Sequence, residues 1–580
     1  MTDDAPDGIE QGKRLIKVEP NAALSLSHRL AHYLERLTWR TPLHDRRLDG
    51  RHPVKLVAVP VDPLPGDEDA GNALLDGWMV AGGERRPLAD LDIARLTGGA
   101  AFVAHVHGFE WLRDLDAVGD RARTVPAAEA LAARWLAAHG DHVSDVAWRP
   151  DVVARRLIQW SFHAPLLLSS TDLVFRSRIL NGIARAARHL DRTADKAPAG
   201  AERIIAWAGV IVAGLLIPGG ETRLAIAEVG LARALDASIT DDGGIVSRSP
   251  TALLDAMATI GLLRAAYDAR RQSLPLVVQQ ILARMTPALL GVAMGDGGLS
   301  SWQGGLPVDA LRLNDVLMAS GAHGRPLRQA RDWGYQRLAA GGCVLVMDAA
   351  PPPATPVAGC GSASTLAFEL SDGAERLIVG CGGAALTAAR YSPEVALGLR
   401  STAAHSTLVL ADSHSTALHP DGTLGRGVAE VELARQESEA GSRIEARHDG
   451  YVRRHGLYHR RQLLLTGDGG ELRGEDSLLP APRTGPAWPR RANRGPTPFS
   501  LRFHLGPGVE AVATADGQAA MLRTPSGAFW QLRARGERLV VDDSIWTDPA
   551  GRLVPTRQVV IEGLAQAGGA HVGWVMKRAR

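Results

Sequence analysis

Ala340-Gly341-Gly342-Cys343-Val344-Leu345-Val346-Met347 is where the chain changes its hydrophobic period. Upstream, apolar residues recur at helical spacing between short polar or Gly/Pro breaks, over 152–160, 173–190, 204–217, 224–235, 253–263 and 278–289. The last span carries one stripe, Val278, Ile281, Leu282, Met285 and Leu289, and Pro287 is expected to kink it. Downstream, short runs of β-branched and apolar residues alternate with period two between Gly, Asp and Pro turns. Strands are expected at 343–347, 366–370, 377–379, 406–410, 428–433 and 458–465, and again at 501–505, 518–523, 529–533, 539–543 and 558–562. So many short strands in series fit a large antiparallel sandwich, with the Pro/Arg-rich stretch 480–498 as a loop within it. Before the helices, a cationic helical pattern at 27–41 and a Pro/Gly-rich stretch at 53–87 make residues 1–100 a partly irregular adaptor. Helix after helix without an intervening strand admits a solenoid, a bundle or a closed ring, and spacing does not separate them.

A chain of 580 residues exceeds one compact core, and 45% hydrophobic with 22% charged residues is ordinary for a globular protein. The formal net charge is +2, so no global field selects nucleic acid or a membrane surface, and charge recognition must be local. Three cysteines, Cys343, Cys360 and Cys381, imply no disulfide framework. A Cys343–Cys381 pair would need an oxidising compartment, and small buried side chains in adjacent strands are the plainer reading. The start, Met1-Thr2-Asp3-Asp4, lacks the basic-then-apolar run of an export signal, from which a cytoplasmic location is expected. The longest apolar run, 204–217, is shorter than the ~20 residues a bilayer needs and reads as a buried helix, so no transmembrane segment is expected.

Three passages carry a likeness to one known family. The first is Asp242-Gly243-Gly244-Ile245-Val246-Ser247-Arg248-Ser249-Pro250, similar to a Gly-rich turn ahead of a helix start. Ser249 then Pro250 is also a sound helix entry, cap followed by first-turn proline. The second pairs Leu366-Ala367-Phe368-Glu369-Leu370 with Arg400-Ser401-Thr402-Ala403-Ala404-His405-Ser406-Thr407-Leu408, similar to the opening of the family's β-sandwich. The third, His448-Asp449-Gly450-Tyr451 with Tyr458-His459-Arg460-Arg461, looks like the central strand pair of that domain. Together these passages resemble the heparinase II/III family of polysaccharide lyases, and the resemblance implies a multidomain α + β chain: an N-terminal helical (α/α) toroid over 101–335, then an antiparallel β-sandwich over 341–580. It further implies β-elimination on an acidic, uronate-containing polysaccharide between the two, no nucleic-acid partner, and the periplasm or cell envelope as the alternative location.

Elimination requires that a weakly acidic C5 proton be taken by a base. The adjacent carboxylate must be neutralised by Arg, Asn or a cation, and the leaving oxygen must be protonated. The chain departs from the family pattern at these duties. A Tyr is expected just after Ser249-Pro250, where Thr251-Ala252-Leu253 stands; an Asn-His pair is expected where Ala201-Glu202-Arg203 stands. Ser362-Ala363-Ser364-Thr365 replaces a His-rich element, and Val379-Gly380-Cys381-Gly382 replaces a zinc-binding Asp turn. One remaining imidazole, His405, does not make a zinc site, so no metal and no cofactor are expected.

The candidates that remain are His405 and Tyr451 for catalysis, with Arg248, Arg400, His459, Arg461 and Trp302 for substrate binding. Each has a plain structural alternative. His405 could be a hydrogen-bonded residue of its strand, Arg248 an interdomain salt bridge rather than a bidentate carboxylate grip, and Tyr451 an aromatic packed on the sandwich. His459 and Arg461 share a strand face that lies either on the cleft or elsewhere, and Trp302 either stacks a sugar or fills a core. The lyase reading therefore stands beside two others: a family member that kept the cleft and binds without cleaving, and a hydrolase using two of Asp241, Asp242, Asp255 and Asp296.

Overall fold

The computed structural model describes residues 9, 12–17, 41–53, 55–144, 146–354, 361–383, 390–482 and 496–579. Cys360 and most of the Pro/Arg-rich stretch lie outside these, as does nearly all of the cationic pattern at 27–41.

Ten longer helices, besides the five-residue Ala164–Leu168, build the N-terminal unit among the described residues: α1 Ala100–Gly108, α2 Trp111–Val118, α3 Arg121–His139, α4 Pro150–Phe162, α5 Leu173–Thr193, α6 Ala201–Leu216, α7 Glu221–Ser238, α8 Pro250–Ala269, α9 Leu276–Gly291 and α10 Ala310–Ser320. Asp120, Asp172 and Asp309 cap α3, α5 and α10 through their side chains, satisfying first-turn N–H groups. α6 packs on α4 at one side and α8 at the other, α4 continues to α1 and α8 to α10, and α5, α7 and α9 lie behind. That inner position explains the long apolar run: 14 side positions of α6 are buried, because helices cover it all round. Glycines set the spacing where helices approach closely, with Gly209 against Ala154 and Gly230 under Trp207. This double row, α1, α4, α6, α8 and α10 inside with α5, α7 and α9 behind, is the layering of a helical (α/α) toroid.

Two antiparallel sheets follow. The nine-stranded sheet runs from Gly12–Lys17 through Glu430–Ser438, Gly441–His448, Leu457–Thr466, Glu471–Pro480, Ala570–Arg578, Phe529–Arg535 and Ala519–Arg523 to Glu510–Ala513. The second runs from Arg538–Thr547 through Leu553–Ala565, Thr497–Leu505, Glu375–Val379, Phe368–Asp372 and Cys343–Asp348 to Tyr335–Ala340, with Leu408–Leu410 added beside Thr497–Leu505. The stretch that opens the sandwich, Cys343–Asp348, is buried at all six positions. Cys343, Leu345 and Met347 face the other sheet, whereas Val344 and Val346 join the helical core with Trp333 and Tyr335. The molecule is therefore three layers, with this sheet in the middle.

The N-terminal adaptor is tied to both units. Its strand Gly12–Lys17 pairs with Glu430–Ser438, more than 400 residues away, while helices Pro42–Leu48 and Glu68–Leu75 pack on α5 and α2. Pro287 lies inside α9, as the sequence places it. Ser249 occupies the cap position of α8 with Pro250 behind it, but its hydroxyl makes no capping bond. No helix among the described residues is long and apolar enough to cross a membrane.

Candidate functional site

At the junction of toroid and middle sheet the chain makes a tight turn that only glycine fits: Gly243 has φ +88, and a Cβ there would lie 2.0 Å from the Arg284 carbonyl. On Gly244 it would lie 2.0 Å from Trp333. Arg248 leaves this turn in a left-handed conformation, φ 57, with its guanidinium fully engaged. Nε donates to the Trp333 carbonyl at 2.8 Å, Nη1 to the Pro351 carbonyl at 2.8 Å and Nη2 to Asp348 Oδ1 at 2.6 Å. Gln303, also left-handed at φ 50, donates to Asp348 Oδ2 at 3.1 Å, and Ser364 Oγ donates to the same oxygen at 2.7 Å. The carboxylate that Arg248 grips is thus the protein's own, and its donors are spent on the junction instead of a sugar. Trp302 is 0% exposed and packs on Tyr335 at 5.9 Å between ring centroids; no face is left for stacking a sugar.

His405 lies just past a short 3-10 turn, ahead of the strand at Leu408–Leu410 and not within it. Its Nδ1–H donates to the Ser401 carbonyl at 2.8 Å, and burial pushes its pKa down, so the ring is held neutral. Arg400 is buried, with Nε donating to the Gly361 carbonyl and Nη1 to the Gly422 carbonyl, both at 2.7 Å.

The remaining three candidates sit inside the sandwich. Tyr451 is 1% exposed in the core between the sheets, its hydroxyl donating to the Leu408 carbonyl at 2.8 Å, and burial pushes its ionisation upward. His459 and Arg461 are on the inner face of Leu457–Thr466, in phase with Leu463 and Leu465. A single proton order satisfies this cluster: Gly450 N–H to His448 Nδ1 (3.0 Å), His448 Nε2–H to His459 Nδ1 (3.3 Å), His459 Nε2–H to Asp476 Oδ1 (2.7 Å). Arg461 adds Nε to Asp476 Oδ1 at 2.8 Å, and Trp574 Nε1 closes the other oxygen at 2.9 Å. Burial alone would raise the Asp476 carboxyl, but Arg461 and His459 outweigh it and hold it down at about 2. Such a closed, dry network holds the two sheets together and leaves no donor for a ligand.

What the junction lacks, the toroid lumen has. Asp151 and Arg155 fall on one face of α4 at i, i+4, and Gln159 continues that face one turn deeper. Arg155 Nη1 donates to Glu110 Oε1 at 2.7 Å, and Arg149 forks onto Asp151 at 3.1 and 2.6 Å. Glu202, at the start of α6, and Asp255, on α8, have no salt bridge within 4 Å among the described residues, although both feel Arg155. Desolvation raises the pKa of each, with Asp151 adding to the effect at Glu202. Solvent reaches both side chains, Glu202 more than Asp255. The Gln159 side chain, 3% exposed, leaves its amide oxygen without a hydrogen-bond partner. Beside this wall, where an acid for elimination would stand, α8 opens with Thr251 and Ala252, and Arg203 is turned away to the Ala197 carbonyl at 2.8 Å. His105 lies 3.5 Å from Glu110 and 3.9 Å from Asp114. Asp255 came forward in the sequence as one of four acidic candidates; the others of the wall escaped it, because charged residues within a helical run read as a solvated face. The i, i+4 spacing of Asp151, Arg155 and Gln159 inside an otherwise apolar helix was the available signal.

Among the described residues no three His, Cys, Asp or Glu side chains are grouped to hold a metal, and Cys343 and Cys381 are buried and unpaired.

The sequence model described as Heparinase II/III-like, C-terminal matches residues 322–575. FtsZ-localized protein C from Caulobacter vibrioides (strain NA1000 / CB15N) is 30% identical over 578 residues, covering 95% of each chain. Heparinase III superposes with a TM-score of 0.69 over 95% of this chain and 90% of its own at 12% identity. A mutant heparan sulfate lyase HepC from Pedobacter heparinus does so with 0.58 over 96% and 90% at 13% identity. These last two likenesses carry the toroid-plus-sandwich architecture alone; the matched sandwich and the full-length relative place the chain in the heparinase II/III-like family.

Proposed function

We propose that the protein binds a glycan in the lumen of its toroid without cleaving it. The observation that carries this reading is the lumen wall itself, which bears Glu110, Asp151, Glu202 and Asp255 but no tyrosine among the described residues. Elimination needs the uronate carboxylate neutralised and a proton delivered to the leaving oxygen; carboxyl groups at the wall oppose the first and Thr251-Ala252 cannot do the second. The described tyrosines are engaged elsewhere: Tyr267 on Glu228, Tyr335 on the Arg248 carbonyl, Tyr391 on the Leu553 N–H, Tyr451 on the Leu408 carbonyl, and Tyr458 against Arg447.

Incubation of purified protein with a panel of uronate glycans, followed by absorbance of unsaturated product, is expected to give no signal on any of them. Turnover on one would restore the lyase reading. The name of the Caulobacter relative supports co-localisation of this chain with FtsZ, with the glycan-binding toroid working beside it. A fluorescent fusion that spreads evenly through dividing Caulobacter cells instead of following FtsZ would remove that part.

A further inference from the structure

Residues 55–66 of the adaptor form a strap across the toroid, over the C-terminal ends of α4, α6 and α10. The Val57 N–H donates to the carbonyl of Leu216, the last residue of α6, at 2.9 Å. Pro63 shares a groove with Gly261 and Arg264 of α8 and Met318 of α10, and a Cβ on Gly66 would lie 2.3 Å from the Arg113 carbonyl of α2. Little else fastens the strap. Among the described residues the Val57 bond is its one main-chain bond to a helix backbone. Leu56, Ala58 and Pro60 turn inward, but the alternating Val57, Val59 and Val61 are 42%, 44% and 85% exposed.

The middle of the strap is held by Asp62. Its buried carboxylate accepts from the Leu64 N–H at 3.0 Å and from Arg113 Nε at 2.7 Å, and Oδ2 meets His163 Nε2 at 3.2 Å. His163 directly follows α4 and is buried too; its other ring nitrogen, Nδ1, is 3.3 Å from Asp116 Oδ2 of α2. A carboxylate only accepts and a neutral imidazole has one N–H, so a ring with a carboxylate at each nitrogen satisfies both only when doubly protonated. Burial opposes that charge, but Asp116 and Asp62 outweigh it and hold the pKa above its ordinary value. Around the ring stand Asp62 from the strap, Asp116 and Arg113 from α2, and Arg121 from α3, which acts on Asp116.

We propose that His163 is a pH-operated clasp: with both ring nitrogens protonated it fastens the strap across the end of the toroid, and with one proton lost it lets that end loosen. The neutral ring has one N–H for two carboxylates. Asp116, half exposed, then turns to water, and the bond to Asp62 loses the charge on its donor. A folded-state pKa raised above the unfolded one puts the clasp shut in mild acid and open as pH rises through the raised value.

Hydrogen exchange on the full chain, read at the Val57 and Leu64 amides between pH 6 and pH 9 and corrected for the intrinsic rate at each pH, tests this. Protection of both is expected to fall by about fivefold or more as pH rises, with a midpoint above 6.5, while amides inside α6 keep theirs. In His163→Gln, whose amide carries no titrating proton, protection should be low and level over the whole range. Asp116→Asn, at a half-exposed position, decides even where His163→Gln fails to fold: its midpoint should move down, because one of the two carboxylates that retain the proton is gone. Level protection in the parent, a transition that survives in His163→Gln, or an unmoved midpoint in Asp116→Asn would overturn the clasp.

Discussion

Asp348 is buried to 0% and receives Arg248, Gln303 and Ser364, two of them held in left-handed backbone that non-glycine residues avoid. The strain and the buried charge pair are compensated by the same few bonds, so the site is structural in consequence. Arg248→Ala leaves that carboxylate buried and unpaired and is expected to cost about 3–5 kcal/mol in chemical denaturation. Tyr451→Phe loses one bond to the Leu408 carbonyl and should cost about 1 kcal/mol. Neither should change glycan affinity in folded protein; a large loss of binding by Tyr451→Phe at unchanged stability would contradict its place in the core. The sequence marks these residues out correctly as unusual, since Arg and His stand where apolar side chains are expected. It says which way only some of them face. For His459 and Arg461 the answer was available in the phase of Leu457, Leu463 and Leu465, which put both on the core side. For Arg248 it was not, because Asp348 lies 100 positions along the chain.

Among the elements, legibility follows locality. Helices α4 to α9 were readable because their apolar spacing is written within a few turns, helped by a first-turn proline in α4 and α8 and an Asp cap on α5, and Cys343–Asp348 because five of its six residues are apolar or Cys. Gly441–His448 and Glu471–Pro480 were missed: their outward positions carry Arg and Glu side chains that pair across strands, Arg447 with Glu432 and Arg460 with Glu445 and Glu475, which dilutes the apolar count. Gly12–Lys17 was invisible for another reason, since nothing local says that six residues of a mostly polar terminus complete a sheet edge at Glu430–Ser438. Deleting residues 1–17 is expected to lower stability by only about 1–2 kcal/mol, because its side chains are exposed or half-buried and the pairing supplies most of the contact. Hydrogen exchange should show the Glu430–Ser438 amides losing protection while α4 and α6 keep theirs. Protection unchanged along Glu430–Ser438 would mean that the strand does not pair in solution.

Across the whole molecule the dominant titration is a set of imidazoles kept neutral. Burial pushes His107, His189 and His504 down to about 3, with neighbouring His or Arg charges adding to it, and His448 and His459 are lowered as well. Unfolded, each would titrate near 6.5. Above that pH their contribution is fully present; as pH falls below it the unfolded chain takes up protons that the folded one refuses, and stability is lost progressively toward pH 3. Each such group steepens the loss by up to about 1.4 kcal/mol per pH unit. His163 runs the other way: burial would lower it, but bonds to Asp116 and Asp62 outweigh that and raise its pKa, so its share is present in acid and lost as pH rises. One group does not offset five, and denaturation midpoints are expected to be level near neutrality and to drop steeply between pH 6 and 4. A flat profile over that interval would mean these rings are solvated in the folded protein.

Strand Ala570–Arg578 sits between Glu471–Pro480 and Phe529–Arg535, joining segments that precede it in the chain. During synthesis, then, the outer sheet exists as two unlinked pieces until the ribosome has passed residue 578, whereas the toroid can close more than 200 codons earlier. A transcript cut short anywhere in that interval would yield a finished ring trailing unpaired strands, a product that cellular proteases should recognise at once.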